Sequence, residues 1–250
     1  MKQLDLLSIK KTYDRDGYVF IHGLLSQEEV VDINRELVVY INNTIPEMPS
    51  NLVFYEDEND QTTLKQLQDI HKYNAFFERI LKGSPFEEIA RALMVENVIG
   101  KSLEYFNKPK GIGKPTPPHQ DGYYFMLNPP QAITMWLALE KADEENGCVR
   151  YIKGSHLTGM RPHGRTATLG FSQEITDYAD QDFAAEIPFP AQPGDLLIHH
   201  ALTIHRADGN PSNRSRRALG FIYFGESAKE DIEAKKKYQH KLTEERMARK

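Results

Sequence analysis

The spacing of apolar residues differs between the two halves of the chain. Over residues 26–43, apolar side chains recur every three or four positions, as on one face of a helix. Ser26 and Glu29, three residues later, form a capping box that marks the start of this helix. A second helix is predicted over residues 85–100, and the β-rich run at 17–25 is predicted to be a strand. The first half is therefore expected to be mixed.

The second half alternates short β-rich runs with turn signals such as "NPP", "ENG", "KGSH" and "PGD". Strands are predicted at residues 102–109, 132–140, 148–152, 195–207 and 217–225. Short strands with regular punctuation are typical of a β-sandwich or a barrel. We therefore expect a mainly β protein with flanking helices.

Two segments stand apart from this pattern. Residues 157–183 would be a long connection for a barrel, and long loops in compact domains are often lids or binding loops. Residues 229–250 are rich in charge and poor in apolar side chains, which predicts a solvated helix or a frayed end. We expect one domain over residues 1–250, in which residues 1–100 support the core motifs of residues 102–224.

The composition limits the class of protein. The 250 residues carry a formal net charge of -5, which is typical of a globular protein and argues against a nucleic-acid binder. Cys148 is the only cysteine, so no internal disulfide can form, and this favours a reducing compartment. The first residues contain no apolar run long enough for a signal peptide or a membrane span. We expect a cytoplasmic protein without a nucleic-acid or membrane partner, and the sequence leaves its oligomeric state open.

The segment "PPHQDGYYF" brings two candidate metal ligands together. Residues i and i+2 of a strand point to the same face, so His119 and Asp121 are predicted to project together. An imidazole nitrogen and a carboxylate oxygen make half of a site for a divalent metal ion. A His-x-Asp pair is also common by chance, and a third ligand is needed.

The third ligand is sought among the remaining histidines. The most suggestive context is "PGDLLIHHALTIHRADGN", where a turn leads into a β-rich run that holds His199, His200 and His205. His199 and His200 are adjacent and cannot share one face of a strand, so at least one of them is expected to be structural. Two histidines and one carboxylate with open positions form the facial triad of non-haem Fe(II) oxygenases.

The chain resembles the phytanoyl-CoA dioxygenase family of Fe(II)- and 2-oxoglutarate-dependent oxygenases. Four segments carry the resemblance in the family's order, over roughly residues 12–224. They are "RDGYVFIHGLLSQEEV", "FNKPKGIGKPTPPHQDGYYF", "MWLALEKADEENGCVRYIKGSH" and "PGDLLIHHALTIHRADGNPSNRSRRAL". Each motif is weak by itself, and the four in order are specific. The resemblance implies a double-stranded β-helix, a jelly-roll or cupin-like barrel with helices outside one sheet.

The resemblance also implies a metal site. The family's metal ligands correspond to His119, Asp121 and His205, and the last of these stands five residues before Asn210, as in the family. His199 and His200 are then not expected to be ligands. The implied cofactor is Fe(II), with 2-oxoglutarate as cosubstrate and O₂ as oxidant.

The cosubstrate contacts implied by the resemblance centre on Arg216, eleven residues after His205. The family's tryptophan near 2-oxoglutarate corresponds to Trp136, and Thr134 lies on the same strand face. A guanidinium offers a carboxylate a planar, two-pronged partner. Some members use a second anchor, a lysine before the first barrel strand. The corresponding position here is Gln66, beside Lys65, which leaves the second anchor open.

The implied reaction is oxidative decarboxylation of 2-oxoglutarate to succinate and CO₂, coupled to hydroxylation of an unactivated C–H bond. Asp121 fills the coordination position that related halogenases leave open for chloride, so hydroxylation is expected, although desaturation or ring closure uses the same ligands. Tyr123, Tyr124 and Phe125 follow at once and are predicted either to line the substrate side of the pocket or to pack in the core. The alternative function is a non-catalytic metal- or ligand-binding barrel. The sequence does not name the small-molecule substrate.

Overall fold

The structure, a computed structural model, describes residues 4–166 and 173–247. Its strands in chain order are β1 (Tyr18–Ile21), β2 (Val53–Tyr55), β3 (Leu64–Leu67), β4 (Val98–Lys108), β5 (Thr116–His119), β6 (Leu127–Asn128), β7 (Ala132–Ala138), β8 (Val149–Ile152), β9 (His163–Arg165), β10 (Gln173–Ile175), β11 (Glu186–Phe189), β12 (Leu196–His200), β13 (His205–Ala207), β14 (Arg216–Gly225) and β15 (Lys229–Glu230). Its α-helices are α1 (Leu6–Asp16), α2 (Gln27–Asn43), α3 (Ala75–Leu81), α4 (Pro85–Met94), α5 (Gly122–Phe125), α6 (Asp180–Ala184) and α7 (Ile232–Met247). Short 3-10 turns lie at Ile45–Glu47, Ser50–Leu52, Gln61–Thr63, Ile70–Lys72 and Ser155–Thr158.

Two antiparallel sheets face each other. The larger has the strand order β1-β12-β7-β14-β4-β3-β2, and the smaller has the order β11-β8-β13-β5. Val149 and Tyr151 of the smaller sheet pack against Trp136, Leu197 and Ala218 of the larger one. The mainly β architecture with flanking helices is confirmed. Among the described residues the sheets form two hydrogen-bonded layers and do not close into one continuous barrel.

The larger sheet is buried on both faces, because its strands send alternate side chains to opposite sides. Every residue of β7 is buried, with Ile133, Met135 and Leu137 facing the helices. Thr134 and Trp136 face the other sheet and line the cavity between the two layers. The same alternation on β4, β12 and β14 therefore decides which side chains reach that cavity.

The helices cover the outer face of the larger sheet. The capping box of Ser26 and Glu29 is present, and α2 buries the apolar face that its spacing predicted. The second predicted helix is shorter than expected, because α4 ends at Met94 and Val95 takes a left-handed conformation with φ 58°. The following β-branched residues begin β4 at Val98, four residues before the predicted strand.

Three further expectations are refined. Residues 195–207 form two strands, β12 and β13, separated by a turn over residues 201–204. Residues 157–183 are not one structureless loop, because they hold β9, β10 and α6, while residues 167–172 lie outside the described part. The charged tail contains α7, as the helical alternative predicted.

Candidate metal and cosubstrate site

The cavity is lined by a row of side chains from each sheet. His119, His205 and Tyr151 are direct cross-strand neighbours on β5, β13 and β8 of the smaller sheet. Thr134 and His199 are cross-strand neighbours on β7 and β12 of the larger sheet. All five residues line one cavity of about 230 Å³. The pairing of strands distant in sequence therefore brings these groups together.

Asp121 reaches the same place by a different route from the one predicted. Strand β5 ends at His119, and Asp121 has helical backbone angles (φ -57°, ψ -32°) immediately before α5. The expectation that His119 and Asp121 share a strand face is therefore wrong. The turn is anchored because the Gly122 N–H donates to the Ala201 carbonyl at 2.8 Å. This turn directs the carboxylate between the two rows.

The predicted metal ligands lie together. Oδ1 of Asp121 is 3.4 Å from Nε2 of His119 and 3.6 Å from Nε2 of His205. One ligand atom from each of the three residues lies within 4.8 Å of the others, a spacing that a single ion can bridge. The set of two imidazoles and one carboxylate on one side of an open cavity matches the facial triad of non-haem iron enzymes.

The hydrogen bonds of both histidines turn the other ring nitrogen, Nε2, toward Asp121. Nδ1 of His119 lies 2.8 Å from the Pro117 carbonyl, and Nδ1 of His205 lies 3.0 Å from the Thr203 carbonyl. A carbonyl only accepts, so each Nδ1 carries the proton and each Nε2 offers a lone pair toward Asp121. This is the usual outer arrangement of metal-binding histidines, so the residues fit a divalent ion.

The second oxygen of Asp121 is held by residues of the larger sheet. Oδ2 accepts from the Thr134 hydroxyl at 2.5 Å and from His199 Nε2 at 3.0 Å. Because that nitrogen donates, His199 Nδ1 accepts from the Tyr151 hydroxyl at 2.9 Å. Burial alone would raise the pKa of Asp121, but the neighbouring histidines His205, His119 and His199 hold it well below its usual range. The carboxylate therefore stays ionised, with Oδ1 left for a metal ion.

His200 lies on the opposite face of β12 from His199. Its Nδ1 accepts from the Leu202 N–H at 3.0 Å, and its ring neighbours Tyr13 and His156. The sequence analysis expected at least one of His199 and His200 to be structural, and it did not identify the contacts that His199 and Tyr151 make at the site. The alternation of Leu197 and His199 on one strand face was the available signal.

Arg216 is a buried cation at the other end of the cavity. Its side chain lies on the face of β14 that lines the cavity. Its guanidinium carbon is 5.1 Å from the centre of the Trp136 ring. Its Nε has no hydrogen-bond partner among the described residues, which also offer it no ion pair. Burial lowers the pKa of Arg216 to about 10, so it is protonated at neutral pH. A buried charge in this state calls for an anionic ligand.

The neighbouring arginines are already neutralised. Arg217 points to the other face of β14 and pairs with Glu140 at 2.8 Å. Arg214 pairs with Asp143 and Glu145, each at 3.0 Å. Arg206 lines the cavity, but Glu186 and Asp208 satisfy its guanidinium. Arg216 is thus the arginine whose environment suits a carboxylate ligand.

Some of the remaining predicted site residues line the cavity and others do not. Tyr124 and Phe125 line the cavity, and the Tyr124 hydroxyl donates to the Gln173 carbonyl at 2.8 Å. Tyr123 stacks on His163, with ring centroids 4.4 Å apart. Of the two candidates for a second anchor, Gln66 lines the cavity, whereas Lys65 lies 3.5 Å from Glu56.

The matches to known proteins agree with this geometry. The family model described as phytanoyl-CoA dioxygenase (PhyH) matches residues 13–218. Phytanoyl-CoA dioxygenase domain-containing protein 1 of Danio rerio is 32% identical over 61% of this chain and 54% of its own length. Phytanoyl-CoA dioxygenase 1 of Oryza sativa subsp. japonica is 25% identical over 83% of this chain and 84% of its own length.

A solved structure supports the fold. The epimerase SnoN, in complex with Fe3+, alpha ketoglutarate and nogalamycin RO, superposes with a TM-score of 0.73 at 22% identity. The superposition covers 89% of this chain and 84% of that one. At this identity the likeness establishes the shared double-stranded β-helix fold.

The fold and the three-ligand cluster define an iron- and 2-oxoglutarate-dependent oxygenase. Within that class, the match over most of the sequence shows that the chain belongs to the phytanoyl-CoA dioxygenase family. No helix among the described residues is long and apolar enough to cross a membrane.

Proposed function

We propose that the protein hydroxylates an unactivated C–H bond of a small-molecule substrate, using Fe(II), 2-oxoglutarate and O₂. The observation that carries the proposal is the cluster of His119, Asp121 and His205 in the same cavity as Arg216, a buried guanidinium without an ion pair among the described residues. The balanced reaction converts R–H, 2-oxoglutarate and O₂ into R–OH, succinate and CO₂.

Fe(II), when bound by His119, Asp121 and His205 together with 2-oxoglutarate, supplies the oxidising chemistry that activates O₂. The chain's own work is positioning. Thr134 and His199 fix Oδ2 of Asp121, which leaves Oδ1 as its single metal-binding oxygen. The carbonyls of Pro117 and Thr203 fix the tautomers of the two histidines.

Arg216 is proposed to bind the distal carboxylate of 2-oxoglutarate. Trp136 supports the guanidinium from one face, so the charge is held in place before the ligand arrives. Thr134 was expected near the cosubstrate, and its hydroxyl is committed to Asp121, so we assign it the task of orienting that carboxylate. Tyr124 and Phe125 are proposed to contact the substrate.

The alternative of a non-catalytic binding barrel would not require three intact metal ligands and a free buried arginine in one cavity. The reaction outcome is less constrained than the chemistry of the site, since a structure with this fold is an epimerase. Asp121 occupies the third protein ligand position, and we therefore propose hydroxylation over a reaction that needs a further open position. We also propose the cytoplasm as the location, because the single cysteine fits a reducing compartment.

The test loads the full chain anaerobically with Fe(II) and 2-oxoglutarate and then admits O₂. We expect bound iron, quenching of the fluorescence of Trp136, the only tryptophan, by 2-oxoglutarate, and slow release of succinate that a substrate accelerates. Asp121→Ala is the matched inactive variant. A wild-type protein that binds neither iron nor 2-oxoglutarate would contradict the proposal.

A further inference from the structure

Glu104 is a carboxylate that faces the cavity without a cationic partner. It occupies an inward position of β4, between Leu103 and Tyr105, which face the helices. The described residues place no lysine, arginine or histidine at ion-pair distance from it. Oε2 accepts from the Gln66 amide at 2.9 Å, whereas Oε1 has only the Ser102 hydroxyl at 3.5 Å. Glu104 is half-buried, and its weakly bonded Oε1 is the oxygen that can accept from a ligand in the cavity.

Gln66 offers a second unused acceptor at the same place. It is 5% exposed and lines the cavity. Its Nε2 is the atom that meets Glu104 when that side chain is ionised, because a carboxylate only accepts hydrogen bonds. Its Oε1 is buried without a hydrogen-bond partner among the described residues. This contacting pair of side chains thus holds one carboxylate oxygen and one amide oxygen that lack a close donor.

The charges around this pair are negative. Asp69 approaches through Ser102, whose hydroxyl donates to it at 2.8 Å, and Asp121 lies across the cavity. Burial, together with Asp69 and Asp121, raises the pKa of Glu104 to about 7, against the lowering effect of the Gln66 hydrogen bond. A cation placed here would relieve this repulsion, and an anionic group would increase it.

This end of the cavity is separate from the proposed cosubstrate anchor. Glu104 pairs with Gly220 on β14, four residues along that strand from Arg216. At about 3.3 Å per residue, the backbone positions of the two residues are roughly 13 Å apart along the strand direction, and Arg216 is not among the groups that shift the pKa of Glu104. A 2-oxoglutarate molecule held by Arg216 therefore leaves Glu104 and Gln66 to the primary substrate.

We propose that Glu104 and Gln66 bind a protonated amino group of the substrate, which makes the substrate a small organic cation. The proposal rests on the proposed function for the reaction itself. An ammonium group carries several donors, so it can satisfy Oε1 of Glu104 and Oε1 of Gln66 at once. The aromatic and aliphatic lining from Tyr124, Phe125 and Ile222 would then hold the carbon chain.

The test compares three probes of equal chain length: hexylamine, 1-hexanol and hexanoate. Binding to the full chain, loaded anaerobically with Fe(II) and 2-oxoglutarate, is measured by calorimetry and by the shift in unfolding temperature. Hydrogen bonds to charged groups predict that the amine binds about 10- to 100-fold more tightly than the alcohol. Hexanoate should bind no better than the alcohol at this end.

Two variants remove the site in different ways. Glu104→Gln keeps the shape of the side chain and removes the charge. Gln66→Lys leaves Glu104 in place and supplies it with a cation from within the protein. Both should lose the preference for the amine over the alcohol. Glu88→Gln makes the same chemical change on the exposed face of α4 and should keep that preference.

Quenching of Trp136 by 2-oxoglutarate in each variant shows whether the protein is folded and whether the Arg216 end is intact. An amine preference that survives in both Glu104→Gln and Gln66→Lys, or equal binding of amine and alcohol to the wild-type protein, overturns this inference. If iron and 2-oxoglutarate bind normally in that case, the proposed function stands without it. A wild-type protein that binds neither iron nor 2-oxoglutarate would instead refute the proposed function.

Discussion

Two parts of the cavity carry ionisable groups of opposite sign, the buried Arg216 and the half-buried Glu104. At one end, Arg216 lies over Trp136, and Lys108 is the next cation on the neighbouring strand. At the other end, Glu104 lies beside Gln66, with Asp69 close by. Neither Arg216 nor Glu104 has an ion-pair partner among the described residues.

This difference in charge distinguishes two regions of the cavity for a charged ligand. The cationic end suits the distal carboxylate of 2-oxoglutarate, and the anionic end disfavours it, so the cosubstrate has one favourable orientation. Asp121 and its two histidines belong to the same cavity, and the rigid cross-strand rows fix their place in it. We propose that these opposite charges at separate positions sort the two ligands.

The largest expected effect comes from removing a candidate metal ligand, because both proposed ligands react at the metal. His205→Ala removes one of three protein ligands, so iron affinity should fall by more than the roughly 100-fold typical of changes in the surrounding shell, and turnover should vanish. Iron content and succinate formation measure this. His200→Ala, on the other face of β12, is the control and should keep bound iron. Full activity in His205→Ala would refute the ligand assignment.

Removal of the cationic end should come next. Arg216→Ala should weaken 2-oxoglutarate binding on the order of 10²- to 10³-fold, because loss of one partner of a buried pair costs about 3–5 kcal/mol. Titration of Trp136 fluorescence with 2-oxoglutarate gives the affinity, and iron binding should persist. Arg214→Ala and Arg217→Ala remove arginines that are already paired and should change the affinity little. The opposite pattern would assign the anchor to one of these two.

The raised pKa of Glu104 should make the free energy of unfolding depend on pH. The pKa of Glu104 is raised to about 7 in the folded protein from 4.5. Between these pH values the unfolded chain releases a proton that the folded chain retains, so the free energy of unfolding falls as the pH rises. Above the pKa of the folded protein, ionised Glu104 lowers the free energy of unfolding by its full amount, on the order of 3 kcal/mol.

Glu104→Gln lacks this titration, so its stability relative to wild type should increase between pH 5 and pH 8. Urea denaturation of the unliganded proteins at both pH values measures the difference, with Glu88→Gln as the control. A difference that is independent of pH would mean that Glu104 is not held in the environment described.

The smallest effect is expected from the groups that orient Asp121. Thr134→Val keeps the side-chain volume and removes the donor to Oδ2 of Asp121, so iron affinity should fall about 10- to 100-fold. Competition with a chelator measures the affinity. Tyr151→Phe, which acts one hydrogen bond further away through His199, should have a smaller effect. An unchanged affinity in Thr134→Val would remove Thr134 from the positioning network.

The helices and the candidate ligands could be predicted because their signals are local. The capping box at Ser26 needs only four consecutive residues, and α2 begins there. The motif containing His119 and Asp121 led to the site even though the strand argument for it was wrong. That argument failed because two residues share a strand face only if both belong to the strand. Strand β5 ends at His119, where the chain turns and the Gly122 N–H bonds to Ala201, a residue distant in sequence.

The sequence by itself determined the class of fold, the family and the three residues of the candidate metal site, since these follow from short motifs and their order. Only the tertiary structure decided which charged side chains are left without a partner. Arg216 and Arg217 are adjacent in sequence, yet one faces the cavity and the other meets Glu140. Glu104 and Gln66 are 38 residues apart and meet across neighbouring strands. Charge compensation depends on such long-range contacts, because a buried charge is stabilised or exposed by whichever groups the folded chain places around it.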